Sequence, residues 1–286
     1  PYERHLLAGV EGAFHHVFSN ERLCDGVSPR TTHLALAAAA EMHFRHTVEL
    51  DSDYSFDLTF VGTAWPNRVA SLRQLLQKLP SGLRLPWNRH LKEPELRGVS
   101  VIPQLRHDIS DLCDIWNRSR VVLTIGRDFS NAGAKSGQTH GTSPPPRVYE
   151  TALAGGFQIA LDGAGMDLAS TYGERIPLAM DEEEAARLIK HYLANAEERI
   201  ARTKEIQQFT LATHTYKQRL EEVLSRINAC RDSIELPPRP SRPQLAAHIL
   251  HVSHNLLPLR RAGGTEAYIH HLGLSQKQSE PERRVL

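Results

Sequence analysis

Residues 142–161 constrain what this chain can fold into more than any other stretch, because their character changes three times within a short span. Three prolines at 144–146 fix an extended lead-in, and the last of them suits the first turn of a helix. Residues 148–154 then predict one to two helical turns, ended by two glycines that tolerate the left-handed conformation of a helix C-terminus. The apolar run 157–161 predicts a buried strand.

The start of this predicted helix carries two charged residues. Arg147 and Glu150 lie in its first turns, and the amino end of a helix is where a phosphate-bearing ligand docks. We expect Val148, Ala152 and Leu153 to face inward from the same helix. The stretch therefore predicts a ligand-binding helix start that leads into the protein core.

A strand–glycine–helix pattern sets the fold class. Residues 57–63 predict a buried strand with a glycine near its end, and residues 69–79 predict a helix with one apolar stripe. That glycine, Gly62, either permits close approach of a ligand or only makes a tight turn. Residues 119–126 are β-branched and glycine-terminated, which predicts a second buried strand. We therefore expect an α/β fold with a doubly wound parallel sheet.

Weaker patterns predict the remaining elements. Short strands are expected at residues 15–20, 32–37, 83–87 and 98–103, and helices at residues 108–117, 181–194, 197–209 and 214–228. We interpret the last three helices as scaffold, with Tyr216 as a packing residue.

A polar, glycine-rich loop at residues 127–141 follows the strand 119–126. Loops of this length inside a compact domain are often functional, and this one leaves the strand edge where open α/β sheets bind ligands. Arg127, Lys135 and Arg147 could supply positive charge for a diphosphate. Lys135 is also explained as a solvated loop charge.

Residues 146–157, Pro-Arg-Val-Tyr-Glu-Thr-Ala-Leu-Ala-Gly-Gly-Phe, resemble the nucleotide-sugar site of group 1 glycosyltransferases of the GT-B fold, and those of the CgeB-like (spore maturation protein-like) branch most closely. The resemblance implies that Glu150 grips the ribose hydroxyls of the donor nucleotide. A carboxylate suits that role, because it accepts hydrogen bonds from both hydroxyls of a vicinal diol. On residue type alone, Glu150 would more often be a helix residue that only complements the helix dipole, and the surrounding pattern reverses that preference.

The family resemblance extends to residues 60–68, Phe-Val-Gly followed eight positions from the phenylalanine by arginine, which implies a diphosphate or sugar nearby. The donor-binding residues that it implies are Gly62, Thr63, Arg68, Arg127, Pro146, Arg147, Val148, Tyr149 and Glu150. The wider family often carries a second glutamate eight positions before the position of Glu150, where this chain has Thr142. We therefore assign no carboxylate to the donor sugar.

The resemblance covers about residues 10–230 and, separately, 248–273. It implies four regions: residues 1–45 as the end of an N-terminal GT-B domain, 46–230 as the nucleotide-sugar-binding C-terminal domain, 231–246 as a proline-rich linker, and 247–286 as the truncated start of a second group 1 (family 4) glycosyltransferase. Gly263 and Gly264 would form the phosphate loop of that second domain. We expect the chain to be a fragment of a longer protein.

Composition excludes several other classes. A net charge of +1 with 23% charged residues carries no signature of nucleic-acid binding, and no apolar run reaches the length of about 18 residues needed to span a membrane. Three widely spaced cysteines form neither a metal pattern nor a disulfide framework. Histidine pairs at 15–16 and at 43 and 46 lack an accompanying carboxylate pattern, so we expect no metal. The simplest location is the cytoplasm, with a peripheral place at the inner membrane face as an alternative.

The resemblance implies transfer of a hexose from a nucleotide-sugar to an acceptor hydroxyl in cell-surface or spore glycan synthesis, with a glycan, lipid-linked glycan or protein as acceptor. It implies no cofactor and no metal. Most of the N-terminal domain, which usually supplies the catalytic base, is absent, so we name no base and expect the isolated chain to be nearly inactive. The competing hypothesis is a non-catalytic binding or scaffold domain of a polysaccharide assembly protein. A response-regulator-like module is disfavoured by the lack of acidic clusters at strand ends.

Overall fold

The computed structural model describes residues 14, 16–22, 29–62, 66–85, 109–126, 143–161 and 167–233. The strands are β1 (Val17–Ser19), β2 (Thr31–His33), β3 (Phe56–Phe60), β4 (Ser119–Ile125), β5 (Gln158–Leu161) and β6 (Leu178–Ala179). The helices are α1 (Ala40–His43), α2 (Pro66–Lys78), α3 (Ile109–Asn117), α4 (Pro146–Leu153), α5 (Leu168–Tyr172), α6 (Glu182–Ala194), α7 (Ala196–Thr213) and α8 (Tyr216–Ser233), with a 3-10 turn at Asp51–Asp53.

Two parallel sheets organise these elements. Strands β3, β4, β5 and β6 form the larger sheet in that order, and β1 pairs with β2 in the smaller one. Within the larger sheet, Leu123 of β4 pairs in register with Phe60 of β3 and with Ile159 of β5. Parallel strands joined through helices confirm the predicted α/β fold.

Strand β4 carries the core on both of its faces. Val121, Leu123 and Ile125 point into the main hydrophobic cluster, whereas Val122 points into a second cluster with Cys113 and other residues. Helices α2 and α6 contribute to the first cluster, and α3 contributes to the second. A strand buried on both faces reads as a continuous apolar run, which explains why residues 119–126 predict a strand so clearly.

The amino edge of the larger sheet is held by a network of arginines and carboxylates. Arg120 of β4 binds Asp51 at 2.5 Å and Asp57 at 2.7 Å, and Arg84 binds Asp57 at 2.9 Å. Arg199 of α7 is fully buried and also bonds Asp51. Burial raises the pKa of Asp57, but hydrogen bonds from Arg84 and the positive charges of Arg84 and Arg120 outweigh it and hold that pKa below its ordinary value. The ion pairs at the amino edge of the sheet therefore stabilise the fold.

Helix α8 and the residues just before it contact the segment that connects the two sheets, residues 34–55 (the connecting segment). The amide of Ala38 donates to the carbonyl of His214 at 3.1 Å, and the amide of Tyr216 donates to the carbonyl of Ala38 at 3.2 Å. Arg219, which is buried, donates from Nε to the carbonyl of Ala35 at 2.7 Å and from Nη2 to that of Leu36 at 3.3 Å. Tyr216 lies in the core, as a packing residue should.

Two predicted strands differ from the structure. The expected strand at 32–37 ends as β2 at His33. The amide of Leu34 still donates to the carbonyl of Ser19 in β1 at 2.8 Å, and beyond it the carbonyls of Ala35 and Leu36 accept from the side chain of Arg219. The expected strand at 83–87 does not form over its described residues, 83–85. There the carbonyl of Arg84 accepts from the amide of Asp57 at 2.7 Å, while the amide and the side chain of Arg84 bond the carboxylate of Asp57, and the pairing extends no further into a strand.

The other described predictions hold within a few residues, although α7 runs to Thr213 and α8 to Ser233, beyond their expected ends at residues 209 and 228. Helices α1 and α5 and strand β6 have no counterpart in the sequence analysis. The expected strand at 98–103, the loop at 127–141, most of the linker at 231–246 and the second domain with Gly263 and Gly264 lie outside the described residues.

Candidate functional site

Helix α4 begins at the carboxyl edge of the larger sheet. It runs back toward the amino end of β5, so its own first residues lie where β3 and β4 end. Nη1 of Arg147, the second residue of α4, donates to the carbonyl of Val61. A Cβ atom on Gly62 would lie 3.0 Å from that nitrogen and 3.2 Å from Nη1 of Arg68. The missing side chain at Gly62 therefore lets two guanidinium groups converge.

Arg68 links the ends of two strands. It starts from the first turn of α2 and is buried, and its Nη2 and Nε donate to the carbonyl of Ile125 at 2.8 and 3.1 Å. Its guanidinium also lies 5.7 Å from the ring centroid of Phe60. The neighbouring Asn67 donates to the carbonyl of Gly126 at 3.1 Å. The end of β4 is thus fixed to the start of α2 by side-chain hydrogen bonds.

Glu150 lies one turn beyond Arg147 on α4. Its side chain is 22% exposed, and Oε1 is 3.8 Å from Nε2 of His43, whose side chain is 5% exposed. The carboxylate is therefore partly open to solvent and partly backed by a buried imidazole. Pro146 is half-buried at the first position of the helix, where its missing amide hydrogen leaves no donor unsatisfied.

The side chains of Val148 and Tyr149 face the core rather than the sheet edge. The ring of Tyr149 packs 5.3 Å from that of His214 and 5.9 Å from that of Tyr172. A ligand at the start of α4 would reach these two residues through their backbone. We predicted Val148, Ala152 and Leu153 to be inward, and all three are buried.

His214 closes the aromatic cluster in a defined tautomer. Nε2 lies 3.2 Å from the carbonyl of Thr171, which can only accept, and Nδ1 lies 2.6 Å from Nη2 of Arg219, which can only donate. The ring is therefore neutral with its hydrogen on Nε2. Burial, and then the positive charge of Arg219, lower the pKa of His214 to about 4.

The carboxyl end of α4 is held by amide side chains. Nε2 of Gln207 donates to the carbonyl of Leu153 at 2.7 Å, and Nδ2 of Asn117 donates to that of Ala154 at 2.8 Å. The backbone amide of Arg45 also donates to Leu153, at 3.2 Å. These bonds satisfy carbonyl groups that a helix end otherwise leaves open, and they fix α4 in place.

Sequence reasoning missed the contacts that the smaller sheet makes with this region. Oγ of Ser143, just before α4, lies 3.2 Å from Nε2 of His33 and accepts from the amide of Arg22 at 3.1 Å. Arg22 also pairs with Asp167 at 2.5 Å. His33 and Ser143 are 110 positions apart, so no local pattern signals their contact.

The structure thus brings together Gly62, Arg68 and Arg147, with Pro146 at the start of α4 and Glu150 one turn along it. Thr63, Arg127, Lys135 and Thr142 lie outside the described residues. Among the residues that are described, no three histidine, cysteine or acidic side chains group as a metal site. No helix in the same ranges has both the length and the apolar character needed to cross a bilayer.

Comparison with protein families gives one match that covers most of the chain. A family model described as glycosyl transferase-like matches residues 30–225. The chain belongs to the glycosyl transferase-like family. A comparison of this family member with curated proteins found no significant match.

Solved structures agree on the fold of this glycosyltransferase-like chain. The Anabaena protein Alr3699/HepE, whose crystal structure holds UDP-glucose, is 13% identical with a TM-score of 0.56, over 79% of this chain and 67% of that protein. Sucrose-phosphate synthase (tll1590) from Thermosynechococcus elongatus is 14% identical with a TM-score of 0.49, over 72% of this chain and 54% of the synthase. The chain thus spans about half of the synthase. Its fold is similar to that of GT-B glycosyltransferases.

Proposed function

We propose that this chain is the nucleotide-sugar-binding part of a glycosyltransferase that transfers a sugar to an acceptor hydroxyl. The observation that carries the proposal is the convergence of Arg68 and Arg147 beside Gly62, at the sheet edge where α4 begins, with the partly exposed carboxylate of Glu150 one turn further along that helix. Open α/β sheets bind ligands at this edge. Membership of the glycosyl transferase-like family supports a nucleotide-sugar as the ligand.

Each residue has a role that follows from its chemistry. Glu150 offers a partly exposed carboxylate to the ribose diol of the donor nucleotide. Arg68 and Arg147 place positive charge beside the amino end of α4, which favours a diphosphate. Positive charge held in this way can stabilise a leaving diphosphate without a metal ion or other cofactor. Gly62 leaves room for the phosphates to approach the backbone.

The remaining donor contacts belong to the same proposal. Thr63 and Arg127 follow Gly62 and Gly126 in the sequence and extend the site along the chain. Pro146, Val148 and Tyr149 contribute through the backbone at the start of α4. The UDP-glucose bound to the Anabaena protein makes a uridine nucleotide the first donor to test.

The finer assignments are also proposals. They comprise a CgeB-like enzyme of the hexosyltransferase type, acting in cell-surface or spore glycan synthesis on a glycan, lipid-linked glycan or protein, with residues 247–286 as the start of a second transferase. We place the protein in the cytoplasm or at the inner membrane face. No side chain in the described site is assigned as catalytic base, so we expect the chain alone to bind nucleotide without efficient turnover.

The competing hypothesis is a scaffold domain that binds no donor, favoured by Thr142 at the position of the second family glutamate. Calorimetric titration of the chain with UDP, GDP and dTDP separates the two, with Glu150→Ala as the test variant and Glu221→Ala, on the exposed face of α8, as the control. A hydrogen bond to a charged group contributes about 1.5–3 kcal/mol, so we expect Glu150→Ala to bind its nucleotide roughly 10- to 100-fold more weakly. The control should bind as the wild type does.

Two results would contradict the proposal. A folded wild-type chain that binds none of the three nucleotides would favour the scaffold hypothesis. Equal binding by Glu150→Ala and by the wild type would remove Glu150 from the donor site.

A further inference from the structure

The imidazole of His43 lies beside the carboxylate of Glu150, to which the proposed function assigns binding of the ribose. It ends the short helix α1, in the segment that connects the two sheets, and its side chain is almost completely buried. Nε2 of its ring lies 3.8 Å from Oε1 of Glu150. Within the described part of the chain, it is the basic side chain that comes within ion-pair distance of Glu150.

The ring of His43 is held at its other nitrogen. Nδ1 lies 2.9 Å from the carbonyl oxygen and 3.2 Å from the amide nitrogen of Ala39, at the start of the same short helix. Burial and the contacts of Nδ1 with Ala39 together leave the ring little freedom to rotate. Its Nε2 edge is therefore aimed at Glu150 by local structure.

The backbone around His43 is fixed relative to α4. The amide of Arg45 donates to the carbonyl of Leu153, and Gln207 donates from one nitrogen to the carbonyls of Arg45 and of Leu153, at 2.7 Å each. The connecting segment and α4 therefore keep one relative position. The separation between the imidazole and the carboxylate is a property of the packed structure rather than of two mobile side chains.

From this geometry we infer that His43 is a positioning residue for Glu150. The amide of Ala39 donates to Nδ1, so Nε2 carries the ring hydrogen. Nε2 therefore attracts Oε1 and directs the other oxygen, Oε2, to the side where the ribose hydroxyls of a nucleoside diphosphate would lie. Recognition of a diol needs a carboxylate in one defined orientation, because both hydroxyl groups must reach it together. The inference rests on the proposed role of Glu150. It adds that His43 sets the orientation of the carboxylate that recognises the ribose.

His43 has a neighbour that serves as a matched control. His46 lies three residues further along the same segment, is exposed, and packs its ring edge-on to that of Phe44 at 5.4 Å. The two histidines thus differ in whether they face Glu150.

The test compares ribose with deoxyribose nucleotides. UDP is titrated against dUDP, and GDP against dGDP, with the wild type, Glu150→Ala, His43→Asn, His43→Gln and His46→Asn. An asparagine places its amide near the position of Nδ1 and keeps the bond to Ala39, whereas a glutamine reaches the position of Nε2. His43→Asn therefore removes the contact with Glu150 while retaining the local structure.

We expect the wild type and His46→Asn to prefer the ribonucleotide by about fivefold or more. His43→Asn and Glu150→Ala should both lose that preference, because they weaken binding of the ribonucleotide more than that of the deoxynucleotide, which keeps only one of the two hydroxyls. His43→Gln should keep part of the preference. A variant with both Glu150→Ala and His43→Asn should resemble Glu150→Ala alone, because the two residues act on one interaction. A merely structural role of His43 would weaken binding of both nucleotides equally.

The outcomes are distinguishable. If Glu150→Ala loses the ribose preference and folded His43→Asn retains it, the inference about His43 is wrong and the donor site stands. If the wild type shows no ribose preference, the role of Glu150 fails, and the inference fails with it. NMR of the wild-type protein gives a second measurement that needs no variant to fold. The imidazole resonance of His43 should shift more with UDP than with dUDP, and equal shifts would overturn the inference.

Discussion

Single residues at the two edges of the larger sheet show two ways of holding an arginine. At the amino edge, Arg120 is paired with carboxylates, which cancel its charge. At the carboxyl edge, Arg68 and Arg147 donate to the carbonyls of Ile125 and Val61. These hydrogen bonds orient the two guanidinium groups at the edge where we propose that the diphosphate binds.

Gly62 is the residue on which the position of both guanidinium groups depends. An added Cβ would lie 2.9 Å from Cζ of Phe60 and 3.0 Å from Nη1 of Arg147, so Gly62→Ala must displace the arginine. We expect it to weaken binding of a nucleoside diphosphate by about tenfold and to lower the free energy of unfolding by roughly 1–3 kcal/mol. Titration calorimetry and urea unfolding measure the two effects.

Gly82→Ala provides the control for that substitution. Its Cβ would meet no atom within 4 Å, so only the backbone strain of its positive φ of 90° remains, and nucleotide affinity should not change. Unchanged affinity in Gly62→Ala would show that the two arginines do not contact the diphosphate.

At the scale of elements, α4 is the helix that the rest of the site depends on. Its first turn carries Arg147 and Glu150, and its last turn is held by Asn117 and Gln207 from two different helices. Gly156 is the second glycine after this helix. A Cβ atom added to it would lie 2.8 Å from Cγ2 of Thr151 and 3.2 Å from the carbonyl oxygen of Trp116. The helix therefore meets β5 in a single closely packed arrangement.

Gln207 tests how much the carboxyl end of α4 contributes to stability. Gln207→Met keeps the size of the side chain and removes two hydrogen bonds to the carbonyls of Arg45 and Leu153. At about 0.5–1.5 kcal/mol each, the free energy of unfolding should fall by roughly 1–3 kcal/mol. Urea unfolding of Gln208→Met, at the exposed neighbouring position, should match the wild type. A loss of equal size in both variants would contradict this role.

At the scale of the whole molecule, α8 connects the last described residues to a segment near the start of the described chain. Arg219 binds the connecting segment at Ala35 and Leu36 and also binds His214, whose other ring nitrogen reaches α5. The segment that connects the two sheets, helix α5 and the last helix therefore share one set of hydrogen bonds. Because His214 takes part in these hydrogen bonds, their contribution to the stability of the folded chain depends on pH.

Protonation of His214 should destabilise the folded chain. Its pKa is lowered to about 4 when folded, against about 6.5 when unfolded, so the unfolded state takes up the proton first. The stability that the neutral ring contributes is complete above pH 6.5 and is lost as the pH falls toward 4. The slope is at most about 1.4 kcal/mol per pH unit, and partial solvent exposure reduces it.

Urea unfolding at pH 7, 6 and 5 measures that slope. The free energy of unfolding of the wild type should fall more over this range than that of His214→Gln, which cannot take up the proton. Other titrating groups are common to both proteins, so their effects cancel in the difference. Identical slopes would contradict the assignment of a neutral ring held between Thr171 and Arg219.

Local patterns were sufficient for the main elements. The β-branched run at β4, the glycine that follows β3 and the two glycines that follow α4 each predict a boundary, because backbone preference and burial act over a few residues. Helix α5 and strand β6 are five and two residues long, and they form only because the surrounding core accepts them.

The sequence by itself determined the α/β fold, the helix α4 and the presence of Arg147 and Glu150 near its start, because each of these follows from residues close together in the chain. Only the tertiary structure decided that His43 stands behind Glu150, that Arg68 points to the end of β4 and that Tyr149 faces the core. The physical reason is that side-chain direction and long-range contact arise when distant segments pack, and local preference does not encode that packing.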